Sequence, residues 1–78
     1  MRTLDQYLDY LQKAIKEENM EWSKRAVIEI FAEKLKETRR ITWLYYLVKA
    51  LYNLNLEKHM PSREELETWL MFEVSRYP

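Results

Sequence analysis

The basic residues Lys36, Arg39 and Arg40 are the side chains in this chain best suited to contact an anion. On a helix they fall within about a third of the circumference, and could grip a phosphate or an acidic protein surface. Bases at the end of a helix also complement its exposed carbonyl groups, which is a purely structural role. The cluster therefore predicts, as an alternative function, a small nucleic-acid-binding regulator, although Glu33 and Glu37 weaken the local positive field.

Residues that support catalysis or metal binding are sparse. His59 is the only histidine, and we expect it in an exposed turn. Without Cys, no Cys–His pair can form. Glu29, Glu33 and Glu37 repeat at helical spacing, but the chain has no Glu-x-x-His of the kind found in helical di-metal sites. Gly is absent, which removes Gly-rich phosphate loops. We predict a protein that is not an enzyme and binds no cofactor or metal.

The apolar segment 41–56 is the feature most informative about function. It carries one charged residue, Lys49, in a chain of which 33% of the residues are charged. A helix this apolar must be wrapped by other helices or covered by a second molecule. One stripe of the segment is typical of a core face, and a second, rich in Tyr, is rotated away from it. The predicted protein interface on that second stripe consists of Ile41, Tyr45, Tyr46, Tyr52 and Leu56, with Trp43 or Phe72 at its rim.

Two explanations of the Tyr-rich stripe remain open. Three short neighbours could enclose the helix on every side, in which case it is a structural strut. Alternatively, the stripe stays exposed and binds protein, which suits Tyr because each ring joins a rigid apolar body to a polar tip. The second explanation predicts a homodimer or another protein partner, and a function as adaptor, inhibitor or regulator.

Four helices are predicted to position these residues in one all-α domain, residues 1–78. Gly is absent and Pro occurs only at 61 and 78, so the residues that tight β-hairpins favour are scarce. No stretch alternates apolar and polar residues as a half-buried strand does. We therefore predict a compact four-helix domain in which the apolar third helix is central.

The first helix is predicted from Leu4 to about Glu18. Thr3 and Gln6 make a capping-box pattern at its start. Asn19 is expected to cap the helix that follows. The apolar stripe of the first helix consists of Leu4, Tyr7, Leu8, Leu11, Ala14 and Ile15.

The second helix is predicted from about Met20 to Thr38, and the third covers 41–56. No Gly or Pro separates them, so a single helix over 20–56, about 55 Å long, is an alternative that would imply an obligate oligomer. The apolar stripe of the second helix is predicted to comprise Met20, Val27, Phe31 and Leu35, widened by Trp22, Ile28 and Ile30.

A fourth helix is predicted to begin after Pro61, with Ser62 and Glu65 in capping-box positions. A Ser-capped helix after a turn also occurs in helix-turn-helix proteins, but three acids within 63–67 would face the phosphates. The predicted apolar stripe consists of Leu66, Trp69, Leu70, Val74 and Tyr77, with Glu73 inside it by angle.

Composition limits the environment and the partners. Thirteen basic residues balance thirteen acidic ones, so no overall field attracts nucleic acid or an anionic membrane. The absence of Cys fits the cytoplasmic location that we expect. The N-terminal residues, which include Asp5 and Asp9, lack the apolar core of a signal peptide. Segment 41–56 is shorter than the roughly 20 residues that span a bilayer, so we expect no membrane partner.

Overall fold

A computed structural model of the chain describes the backbone of residues 3–76 and the side chains of residues 3–72. Within that part the protein is all-α and contains no strand. The helices are α1 (Leu4–Glu17), α2 (Trp22–Thr38), α3 (Ile41–Asn53) and α4 (Arg63–Arg76), and a short 3-10 turn covers Glu57–His59. The prediction of a compact all-α domain with four helices is confirmed.

The start of α1 follows the predicted capping box. The Thr3 hydroxyl accepts a hydrogen bond from the Gln6 backbone N–H at 3.2 Å, and the Gln6 side chain accepts one from the Thr3 N–H at 3.0 Å. Two of the N–H groups that a helix start leaves without partners are thereby satisfied. The buried side chains of α1 are Tyr7, Leu8, Leu11 and Ile15.

The connection from α1 to α2 differs from the prediction. Asn19 adopts a left-handed conformation with φ 52°, which ends α1 instead of starting α2. The N-cap of α2 is Glu21, whose side chain makes no capping hydrogen bond. The expectation that Asn19 caps α2 is therefore wrong. Asn tolerates positive φ better than most residues, which suits Asn19 to the left-handed position that follows the end of α1.

The break between α2 and α3 lies at Arg39, which has φ 53°. Its backbone N–H still bonds to the Leu35 carbonyl at 2.9 Å, and the chain then turns away. The alternative of one continuous helix over 20–56 is wrong. The end of α3 also comes earlier than predicted, at Asn53, because Asn55 turns the chain at φ 60°.

The core is formed by one face of each helix together with the turn after α3. The buried apolar side chains are Tyr7, Leu8, Leu11, Ile15, Ile28, Ala32, Leu35, Leu44, Leu47, Leu51, Leu56 and Trp69. The core-facing stripe predicted for α2 is partly wrong. Ile28, Ala32 and Leu35 are the buried positions, whereas Val27, Ile30 and Trp22 are exposed. Ala32 is completely buried, so a larger side chain at this position would need extra space in the core.

The start of α4 confirms the predicted role of Ser62, whose hydroxyl accepts a hydrogen bond from the Glu65 N–H at 3.2 Å. Trp69 is buried, and its ring centroid lies 5.4 Å from that of Tyr7. The predicted stripe positions Val74 and Tyr77, and Glu73, lie outside the residues whose side chains are described.

Among the described residues, no helix combines the length and the hydropathy that crossing a bilayer requires.

Candidate functional site

The third helix is covered on one face and exposed on the other. Leu44, Leu47 and Leu51 are almost completely buried. On the remaining surface Tyr45 is 59% exposed, Tyr46 is 43% exposed and Tyr52 is 62% exposed. Of the two explanations for the Tyr-rich stripe, full enclosure of α3 does not match these exposures. Three of the predicted interface residues are therefore accessible to a partner.

Aromatic rings from α2 and α3 form a continuous cluster behind these tyrosines. The Phe31 ring centroid lies 6.1 Å from that of Trp43 and 6.2 Å from that of Tyr46. Trp43 and Tyr46 are 5.8 Å apart in an edge-on arrangement, and Tyr46 is 5.9 Å from Tyr45. Phe31 and Trp43 are partly buried against the core. The exposed Tyr46 ring therefore packs on the partly buried Phe31 and Trp43, and the Tyr45 ring packs on Tyr46.

We call Phe31, Trp43, Tyr45, Tyr46 and Tyr52 the α3 aromatic surface. Trp43 was predicted only at the rim of the interface, and Phe31 was predicted in the core stripe of α2 and not at this surface. The contact between Phe31 and α3 depends on how α2 and α3 turn about Arg39. The spacing of apolar residues within one helix does not predict a contact between two helices.

Lys49 is the cation that lies on the α3 aromatic surface. Its Nζ atom is 5.9 Å from the centroid of the Tyr45 ring, within the range of a cation–π contact. The ammonium group thus stays beside the ring without leaving solvent, since Lys49 is exposed. The surface therefore offers aromatic area together with a positive charge.

Two predicted interface residues lie elsewhere. Leu56 is only 7% exposed and belongs to the core, so its assignment to an exposed stripe is wrong. That assignment extended the helix to residue 56, but the turn at Asn55 folds Leu56 back, and its N–H bonds to the Leu51 carbonyl at 2.7 Å. Ile41, the first residue of α3, is partly buried. Phe72, predicted at the rim, is exposed on α4.

The basic cluster is divided by ion pairs with α1. Lys36 Nζ lies 2.6 Å from Asp9 Oδ1, and this hydrogen bond raises the pKa of the Lys36 ammonium above its ordinary value. Arg39 Nη2 lies 2.9 and 2.7 Å from the two carboxylate oxygens of Asp5. Arg40 is exposed, and no ion pair joins it to another described residue. Two of the three cations therefore tie α2 to α1.

His59 is buried, which corrects the expectation of an exposed turn histidine. Its side chain is 6% exposed, and its Nε2 atom lies 2.8 Å from Glu18 Oε1. The Tyr7 hydroxyl donates a hydrogen bond to the His59 carbonyl. Lys58 Nζ contacts the same Glu18 oxygen at 2.8 Å. These contacts fasten the turn after α3 to α1, which is a structural role.

The three glutamates of α2 are engaged separately. Glu29 pairs with Arg25 at 3.1 Å, Glu33 accepts a hydrogen bond from Gln12 at 3.1 Å, and Glu37 lies 3.8 Å from Lys34. Within the described residues, no group of three His, Cys, Asp or Glu side chains is placed to hold a metal ion.

Comparison with known protein families, with curated proteins and with solved structures found no significant match to this chain. Its function must therefore be inferred from the α3 aromatic surface and the charges around it.

Proposed function

We propose that this chain is a small, non-enzymatic protein-interaction module that binds through the α3 aromatic surface. The bound molecule is a second copy of the chain or a different protein, and the module acts as an adaptor, inhibitor or regulator. The observation that carries the proposal is the exposure of Tyr45, Tyr46 and Tyr52 on a helix whose opposite face is core.

The composition of this surface supports protein binding. Tyr and Trp are enriched among the residues that dominate binding energy at protein interfaces. Because each ring has few rotatable bonds, little side-chain entropy is lost on binding. The packing of Tyr46 against Phe31 and Trp43 restricts motion further. Contiguous exposed apolar area on a small protein is characteristic of an interaction site.

The alternative function, nucleic-acid binding at Lys36, Arg39 and Arg40, draws less support from the structure. Lys36 already forms a short ion pair with Asp9, and Arg39 forms one with Asp5. A phosphate would have to displace these carboxylates, so much of the electrostatic gain would be lost.

Site-specific photo-crosslinking tests the proposal. A photoreactive residue is placed at Tyr45 or Tyr52 in cells that produce the protein. The matched control positions are Trp22 and Ile30, which are apolar, 73% and 60% exposed, and outside the α3 aromatic surface. We expect discrete protein adducts from positions 45 and 52 and none from 22 and 30. The mass of the adduct distinguishes a second copy from another protein.

A pair of charged variants completes the test. Tyr45→Glu with Tyr52→Glu should abolish complex formation and keep the helical circular dichroism, since both side chains are exposed. Trp22→Glu with Ile30→Glu should keep the complex. Equal adducts at all four positions, or loss of helicity in the tyrosine variant, would contradict the proposal.

A further inference from the structure

The charged residues of α3 and of the residues directly before and after it are all positive. No acidic residue occurs between Glu37 and Glu57, whereas Arg39, Arg40 and Lys49 fall in that interval. Arg39 is occupied by Asp5. The charges left on the exposed side of α3 and at its start are therefore those of Lys49 and Arg40.

Lys49 has no carboxylate partner among the described residues. Its Nζ atom lies 5.9 Å from the centroid of the Tyr45 ring. An approaching carboxylate would meet an ammonium group that already lies beside an aromatic ring. Once apolar side chains of the partner exclude water from this region, a charge pair there is less screened than one on an open surface.

The N-terminal end of α3 extends the same positive character. Arg40 is its N-cap residue and makes no side-chain capping bond, and the first turn of α3 carries no acid. The first N–H groups of a helix carry partial positive charge, which here lies beside a cationic side chain. An acidic group of a partner would compensate both.

The α3 aromatic surface of a second copy does not supply the missing acids, because residues 38–56 contain none. In a symmetric dimer the same surface would face itself, which would bring two copies of Lys49 and Arg40 to one interface. Like charges at an interface oppose association. The acids on the outer face of α2 are already engaged, Glu29 with Arg25 and Glu37 with Lys34.

We propose that the partner of the α3 aromatic surface is an acidic, amphipathic segment of a different protein. Its apolar side chains cover Tyr45, Tyr46 and Tyr52, and its Asp or Glu side chains pair with Lys49 and Arg40. This inference rests on the proposed function and specifies the chemistry of the partner.

Selection from a random peptide library displayed on phage tests the partner chemistry, with the folded full chain as bait. The wild-type chain should enrich peptides that combine apolar residues with Asp and Glu. The variant Arg40→Glu with Lys49→Glu should enrich peptides that carry Lys and Arg instead of Asp and Glu. The control variant Lys13→Glu with Lys16→Glu carries the same charge change on exposed positions of α1 and should select as the wild type does. Circular dichroism verifies that each bait is folded.

The affinity of one selected peptide gives the second measurement. A synthetic acidic peptide should bind the Arg40→Glu, Lys49→Glu variant at least about tenfold more weakly than the wild type, and the control variant as tightly as the wild type.

The outcomes separate this inference from the proposed function. Peptides that require Tyr45 and Tyr52 but show no excess of acids would overturn the inference and leave the proposed function standing. If no selected peptide required those tyrosines, the inference would fail; the proposed function would fail with it only if photo-crosslinking at positions 45 and 52 also gave no adduct. Binding of an oligothymidylate at low salt, lost on Lys49→Gln and Tyr52→Ala, would overturn both in favour of a base-stacking surface for single-stranded nucleic acid.

Discussion

His59 is a polar residue in the core, and its contacts explain why it is tolerated there. The ring reaches Glu18 through Nε2, and Nδ1 is buried without a hydrogen-bond partner among the described residues. The tautomer with its proton on Nε2 donates to the Glu18 carboxylate and leaves Nδ1 as an acceptor. In the other tautomer, Nδ1 would instead carry a buried N–H group without an acceptor.

The Glu18 carboxylate makes the stability of the protein depend on acid pH. Hydrogen bonds from Lys58 and from His59 hold the pKa of Glu18 below its ordinary value of 4.5. A lowered pKa in the folded state means that the unfolded state binds the proton more readily. The stabilisation is therefore present above pH 4.5 and is lost as the pH falls through the lower, folded-state pKa.

We expect Glu18→Gln to reduce the dependence of the urea midpoint on pH below 4.5. Glu17→Gln is the matched control, because Glu17 is the adjacent exposed acid and makes no ion pair with another described residue. Urea unfolding at a series of acid pH values provides the measurement. If the two variants kept the same slope as the wild type, the Glu18 contacts would not contribute to acid stability.

At the scale of elements, three residues with positive φ end helices or turns within residues 3–76 of a chain that lacks Gly. Asn19, Arg39 and Asn55 have φ of 52°, 53° and 60°. Positive φ is costly for residues with a Cβ, and Asn bears it at lower cost because its short amide can bond locally. The lengths of α1 and α3 therefore depend on two asparagines.

Substitution of Asn19 tests this dependence. Asn19→Ala should lower the free energy of unfolding by about 1 kcal/mol, because Ala adopts positive φ with greater strain. Asn19→Gly is the matched variant and should stay within about 0.5 kcal/mol of the wild type, since Gly has no Cβ. Urea unfolding followed by circular dichroism measures both. Equal losses in the two variants would show that the amide group matters more than the backbone conformation.

Local sequence predicted the elements well where the signal lies within one helical turn. The Thr3–Gln6 capping box and the Ser62 cap were predicted from spacing alone and are confirmed. The face of α2 was predicted less well because Val27, Ile28, Ile30 and Phe31 place apolar groups around much of the helix. Which of them is buried depends on the position of α1 and α3, and that information is absent from the pattern.

At the scale of the whole molecule, α4 is joined to the core by Trp69 and Leu66 among its described side chains. The Trp69 ring packs on Tyr7, whose hydroxyl bonds to the turn that precedes α4. One aromatic pair thus connects the last helix, the first helix and the turn between α3 and α4.

The substitution Trp69→Ala should lower the free energy of unfolding by about 3 kcal/mol or more, which is typical of large-to-small changes at buried aromatic residues. The matched control is Leu70→Ala, at the neighbouring and more exposed position, with an expected loss below about 1 kcal/mol. Circular dichroism during urea unfolding measures both variants. Similar losses would mean that Trp69 does not anchor α4.

The sequence by itself determined the all-α class and the starts of α1, α3 and α4. These features follow from caps, turn residues and apolar periodicity, which act over a few neighbouring residues. The single charge in segment 41–56 indicated that this helix needs cover on more than one side, but the exposure of its three tyrosines became known only from the structure.

Only the tertiary structure decided the surroundings of those residues. The pairs Lys36–Asp9 and Arg39–Asp5, the burial of His59 against Glu18 and the contact of Phe31 with Trp43 join different elements of the chain. Such contacts form only when the turns at Asn19, Arg39 and Asn55 set the directions of the helices. Those directions result from the packing of all the helices together, which no pattern confined to a single helix contains.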